Sequence, residues 1–255
     1  MSRCDGCRKP ADQFDLAMAF QPIIDIETGL PWAYEALVRG PNGEGAATVL
    51  AAVNEANRYA FDQQCRVAAI TQAVAAGIVA TGARLSINFL PNAVYSPVAC
   101  IQLTLQTAAT VGFPTDRLIF EFTENEEIRD TGHLAAIIDT YRRMGFATAL
   151  DDFGAGHAGL ALLARLQTDV IKLDMELIRD INTSLPRRII VECLIAMLHR
   201  LGITVVAEGI ETGKEYNALR AMGVRYMQGY LFARPGFKTL PMPVLPTDAP
   251  LRMIA

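Results

Sequence analysis

A repeated unit limits the fold of this chain more than any other feature. Each copy is a helix, a glycine, and a short apolar strand that ends in a polar or charged residue. Leu134, Ile137, Ile138, Tyr141 and Met144 fall at helical spacing, Gly145 follows, and residues 146–150 read as a strand. Ile190, Cys193, Leu194, Met197, Leu198 and Leu201 form a second stripe, which Gly202 stops before a strand at 203–207. Leu219 and Met222 lead through Gly223 into 224–227, and Gly82 and Gly112 mark two earlier units. Glycine ends a helix readily because it accepts the left-handed conformation. Helices alternating with strands predict a parallel sheet with crossover helices.

Two folds satisfy that pattern, a doubly wound sheet and an eight-fold barrel. The strand ends decide between them. Seven predicted strands finish at Glu35, Asn88, Glu121, Asp151-Asp152, Lys172, Glu208 and Gln228. A barrel gathers all such ends on one face, where barrel active sites sit, whereas an open sheet strings them along a line. The expectation is one α/β domain, a (β/α)8 TIM-like barrel. It is expected over residues 15–240, after a polar N-terminal tail at 1–14 and before a Pro-rich C-terminal tail at 241–255.

Composition sets the outer limits. Of the 255 residues, 51% are hydrophobic, enough for a sizeable core and too many for disorder. The net charge of -4 argues against a DNA or RNA duplex as partner. No run of about 18 apolar residues and no signal-peptide pattern occurs, so no membrane partner is expected. Five cysteines, an odd number without a secretion signal, suggest a reducing cytoplasm.

The chemistry lies in the charges gathered on one face. Glu35, Glu121, Asp151, Asp152 and Glu208 face only Lys172 and Arg39. Crowded like charges drive one another toward protonation, and divalent metal ions relieve this. Carboxylate oxygens with the amide oxygen of Asn88 suit Mg²⁺ or Mn²⁺; zinc is disfavoured, since no Cys or His joins the set. Adjacent Asp151 and Asp152 allow one carboxylate to bridge two ions, the clamp used for in-line phosphoester displacement.

These residues carry a resemblance. Glu35-Ala36-Leu37, followed by Arg39, resembles the signature of the EAL-domain family, the cyclic di-GMP phosphodiesterases. The matching segments continue in order: Gln21-Pro22-Ile23, Ser86-Ile87-Asn88, Glu121 to Glu124, Asp151 to Gly156, Lys172 to Asp174, Ala207 to Glu211 and Gln228 to Tyr230. The resemblance implies a modified barrel with one early antiparallel strand. It implies hydrolysis of cyclic di-GMP to linear 5′-pGpG with two ions per active site, and a homodimer. Glu35, Asn88, Glu121 and Asp151 would hold one ion, and Asp151, Asp152 and Glu208 the other. Lys172 would hold the attacking water beside Gln228. Gln21, Leu37, Arg39 and Glu211 would contact substrate. Glu124 and Asp174 would support the neighbouring loops.

Where the family usually has Tyr-Ser-Ser after the paired aspartates, this chain has His157-Ala158-Gly159. The segment Asn88-Phe-Leu-Pro91 also differs from the more frequent Asn-x-Ser. A chain of this length leaves no room for the sensor or cyclase domain that often accompanies the family, so it is either a stand-alone enzyme or a fragment.

Other motifs read as structural. Gly154-Ala-Gly156-His-Ala-Gly159 fits a dinucleotide-binding pattern, but pyrophosphate there would face Asp151 and Asp152. Cys4 and Cys7 make half a zinc site at best, and Cys65, Cys100 and Cys193 read as small buried hydrophobes. Two alternatives to hydrolysis stay open: a non-catalytic cyclic di-GMP receptor of the same fold, and a Mg²⁺-dependent barrel lyase with Lys172 as base.

Overall fold

An antiparallel hairpin closes the barrel. β1 (Ala17–Asp25) pairs with β2 (Leu30–Arg39) in a register that sets Ile23 opposite Ala33 and Gln21 opposite Glu35. Then come β3 (Arg84–Asn88), β4 (Leu118–Thr123), β5 (Ala147–Phe153), β6 (Val170–Leu173), β7 (Thr204–Ala207) and β8 (Tyr226–Met227). From β2 to β8 every neighbour is parallel, and β8 returns to β1 antiparallel. The expected eight-stranded α/β barrel is thus present, and β1 is its one antiparallel strand. A short β9 (Gly236–Phe237) pairs with Ala19 and Phe20 of β1. This computed structural model describes residues 13–123, 130–156 and 159–246.

Two strand readings need correction. The glycine rhythm misses β1, because all nine of its residues are buried and no alternation marks them. Glu35 is not a strand end. β2 runs four residues further, to Arg39, because Ala17–Phe20 of β1 continue the pairing.

Helices cover the outside, among them Arg58–Ala75, Gln102–Val111, Thr131–Arg143, Leu185–Arg200 and Gly213–Ala221. Gly145 and Gly202 do end their helices in the left-handed region, at φ 85° and 72°. The stripe expected on Leu185–Arg200 is rotated from the buried one. Val191, Ile195 and Leu198 face the barrel, whereas Ile190, Leu201 and Cys193 are exposed. Of the three cysteines expected inside, Cys100 is buried and Cys65 only partly so.

Apolar residues form two cores. The larger fills the layer between strands and helices. The smaller lies inside the barrel and consists of Ile23, Ala33, Ile119, Ala149, Val170 and Val206. Strand side chains alternate between the two faces, so the residue two positions on faces the same way. Two positions toward the mouth from these six stand Gln21, Glu35, Glu121, Asp151, Lys172 and Glu208. The apolar layer is a floor, and the polar residues are the tier above it.

Gly229 locks the closing edge of that tier. Gln228 N donates to Ala207 O at 2.8 Å, and Ile210 N donates to Gln228 O at 3.2 Å. A Cβ on Gly229 would run into the Ile210 backbone. Gly229→Ala is therefore expected to cost about 1–3 kcal/mol, the range for overpacking. Urea unfolding measures it, and an unchanged midpoint would contradict this packing.

Candidate active site

The paired aspartates pose a geometric problem. In a regular strand, neighbours point to opposite faces, so only one of Asp151 and Asp152 could face the barrel interior. The structure resolves this with an irregularity in β5. The β5–β6 register shifts between Leu150 and Phe153, and Asp152 takes the left-handed conformation at φ 53°. Leu150 and Phe153 both pack into the outer core, three positions apart rather than two. The extra residue of this bulge leaves both aspartates lining the mouth. Asp152 N also donates to Asp151 Oδ1 at 3.0 Å, and aspartate is among the few residues that tolerate positive φ.

Lys172 occupies the centre of the tier. Its Nζ lies 2.7 Å from Glu208 Oε1, 3.0 Å from Asp151 Oδ1, 3.1 Å from Glu121 Oε2 and 3.4 Å from Glu35 Oε2. Its side chain is 1% exposed. Burial opposes a charge there, but four carboxylates outweigh it and raise the Lys172 pKa well above its ordinary value. The acids show the converse. Burial first, then the neighbouring acids, push Glu121 up to about 8 and Asp152 to about 6; burial also drives Glu208 well above the usual carboxylate range.

Smaller contacts orient the acids. Gln228 Nε2 donates to Glu35 Oε2 at 2.8 Å, and Asn88 Nδ2 to Glu35 Oε1 at 3.3 Å. Ser86 Oγ donates to Glu121 Oε1. Ser86 lacks any role in the sequence reading, yet it stands two positions before Asn88 and so on the same face of β3. Glu215 was likewise missed. It closes a capping box with Thr212 and accepts from Glu211 N at 3.2 Å, and the Thr-x-x-Glu spacing signals it.

A cleft of about 310 Å³ opens over the tier. Gln21, Glu35, Asp151, Asp152, Lys172, Glu208 and Gln228 line it, as do Asp174, Glu211 and Tyr230. Asp174 also caps the turn Met175–Ile178, accepting from Glu176 N at 2.7 Å. Glu211 pairs with Arg179 through both oxygens, at 2.9 and 3.2 Å. Leu37 and Arg39 sit further along β2, outside the cleft lining, and Arg39 Nη1 donates to Val38 O at 2.8 Å. Glu124, His157 and Ala158, with Cys4 and Cys7, lie outside the described residues.

The donor set fits divalent cations. Glu35, Glu121 and Asp151 can each bring an oxygen within 4.8 Å of the others, and so can Asp151, Asp152 and Glu208. Asp151 belongs to both groups. All these ligands are hard oxygens, and four carboxylates around the one Lys172 ammonium leave a negative excess that a divalent cation can offset. Gln228 Oε1 is buried without a hydrogen-bond partner among the described residues, a further donor-seeking oxygen at the same place.

The sequence profile of the EAL domain matches residues 8–235. The chain belongs to the EAL domain family. The structure resembles that of a standalone versatile EAL protein from Vibrio cholerae O395 in its c-di-GMP bound form. The TM-score is 0.88 at 47% identity, covering 92% of this chain and 98% of that one. Klebsiella pneumoniae BlrP1, in a manganese/cy-diGMP complex, matches with a TM-score of 0.82 at 34% identity, over 90% of this chain and 58% of that one. The cyclic di-GMP phosphodiesterase PA2567 of Pseudomonas aeruginosa is 29% identical over 86% of this chain and 38% of its own length. The chain spans a third to 60% of the length of the first curated relatives it matches. No helix among the described residues is long and apolar enough to cross a membrane.

The raised pKa values predict a pH dependence. Acids that hold protons near neutrality must release them to bind a cation, so affinity rises with pH. Mn²⁺ binding at pH 7 is expected to release protons, and to tighten from pH 6 to pH 8. Calorimetry in two buffers of different ionisation enthalpy reads this directly; identical heats in both would contradict it.

Proposed function

We propose that this EAL domain hydrolyses one phosphodiester bond of cyclic di-GMP to linear 5′-pGpG, with two Mg²⁺ or Mn²⁺ ions in the cleft. One observation carries the reading. The β5 bulge turns both Asp151 and Asp152 toward the mouth, so that Asp151 is shared by two acidic groups. A barrel lyase using one ion and Lys172 as base has no need of that second group. The manganese/cy-diGMP complex of BlrP1 and the name of PA2567 support the substrate class and the reaction.

Glu35, Asn88, Glu121 and Asp151 would hold one ion, and Asp151, Asp152 and Glu208 the other. When bound, such a pair supplies an acidified water and offsets charge on the reacting phosphodiester. The protein's own residues supply position. Lys172 keeps a fixed positive charge at the centre of the tier, where it can hold and orient the attacking water. Gln228 Oε1 can accept a hydrogen bond from that water while Nε2 holds Glu35. Gln21 and Glu211 line the cleft and would meet the bases. Arg39 has the fork of donors suited to a phosphate, once its bond to Val38 O is released. A homodimer, which the family resemblance implies, is part of this reading.

Incubation with cyclic di-GMP and Mg²⁺ or Mn²⁺, followed by chromatography, tests the reading. Linear pGpG that vanishes with chelator is expected; tight binding of intact nucleotide without product would assign a receptor instead. Glu35→Ala should lower turnover at least 100-fold while the chain still melts cooperatively, and near-normal turnover would refute its role. Asp152→Asn should shift the Mg²⁺ concentration needed for half-maximal rate upward about tenfold. A curve that overlays the parent's would remove Asp152 from the ion site.

A further inference from the structure

The helix Arg58–Ala75 lies outside the barrel, yet one of its side chains reaches the segment after β3. Asp62 Oδ1 accepts a hydrogen bond from Leu90 N at 2.9 Å. Asp62 Oδ2 pairs with Arg66, one helical turn on. The two side chains are 1% and 0% exposed. Arg66 Nε and Nη1 find no hydrogen-bond partner among the described residues. An ion pair enclosed in this way, with donors left over, is a poor source of stability. Apolar side chains of similar volume usually serve as well or better.

What the pair does hold is the backbone leaving β3. Leu90 is two residues past Asn88 and precedes the 3-10 turn Pro91–Ala93. Phe89, between them, is held from the β4 side. Its N–H donates to Glu121 O at 2.9 Å, and its ring packs against Phe120, Phe122 and Tyr141. Asn88 itself is exposed, and its contact to Glu35 is a long one at 3.3 Å. The direction of the Asn88 side chain therefore depends on how the chain is held on either side of it. A carboxylate is the strongest acceptor available for the Leu90 N–H.

We infer that Asp62 is a positioning residue for the ion site: it anchors Leu90, and through that anchor it aims Asn88, while Arg66 orients the Asp62 carboxylate. The inference rests on the two-ion reading. It assigns a functional duty to an acid on the outer helix layer.

The test compares two double variants of the full chain by Mn²⁺ titration, read from the electron paramagnetic resonance signal of the free ion. Asp62→Asn/Arg66→Met removes both charges but keeps an oxygen for Leu90; Asp62→Leu/Arg66→Met removes the oxygen as well. The first is expected to bind Mn²⁺ within about twofold of the parent. The second should bind about tenfold more weakly, the usual loss when a group supporting a ligand is removed. Adding Asn88→Ala to the second should change its affinity no further. Equal affinities for the two double variants, or an Asn88→Ala loss that adds in full, would overturn the inference. Should neither variant fold, hydrogen exchange at the Leu90 amide of the parent decides. Strong protection supports the anchor, and exchange at the rate of an exposed amide overturns it. A parent chain that binds no Mn²⁺ overturns the two-ion reading itself, and the inference with it.

Discussion

One ammonium group holds the mouth of this barrel together. Lys172 Nζ lies within 3.4 Å of four carboxylates contributed by β2, β4, β5 and the end of β7. Without it, those acids would stand at close range in a partly dry site, where like charges repel strongly. With it, the tier still carries more negative than positive charge; burial first, and then that crowding, raises the pKa of Glu121, Asp152 and Glu208. The interaction therefore does two things at once. It lets the acids be collected, and it leaves a residual charge that divalent cations can satisfy.

The barrel makes that collection possible through a simple offset. On each contributing strand an apolar residue faces the interior, and two residues nearer the mouth a polar one faces the same way. Ala33 and Glu35, Ile119 and Glu121, Ala149 and Asp151, Val170 and Lys172, and Val206 and Glu208 repeat the same step. The floor excludes water from below and strengthens every charge interaction above it. β5 keeps the step as far as Asp151 and departs from it only afterwards, where the bulge admits a second aspartate. A bulge beside a site re-aims side chains, and here it adds a ligand without adding a strand.

Support for the site reaches into the outer layers. Ser86 steadies Glu121 from β3, and Glu215 ties together the backbone at Asp180, Glu211 and Thr212. The Asp62–Arg66 pair does the same for the backbone past Asn88. Buried polar groups are costly unless they are paired, so these contacts mark where geometry matters more than bulk packing. The aromatic cluster of Phe89, Phe120, Phe122, Tyr141 and Phe146 supplies the bulk packing around them.

Much of this was legible in the sequence, because period and punctuation are local. The glycine-stopped helices and the polar residue after each apolar run are enough to read the parallel barrel and to name Asn88, Glu121, Lys172, Glu208 and Gln228 as its mouth. Other features are not local. β1 is buried along its whole length and shows no alternation, so only its pairing with β2 and β8 reveals it. The helix Leu185–Arg200 is apolar on more than one side, so the sequence does not say which stripe meets the barrel or that Cys193 is exposed. Adjacent Asp151 and Asp152 are plain in the sequence, but a strand's alternation would separate them; only the shifted register against β6 brings them together. The sequence by itself determined which chemical groups this protein holds, since residue type and spacing are written in it. Which of those groups share one volume was decided by strand pairing, because register depends on partners far away along the chain.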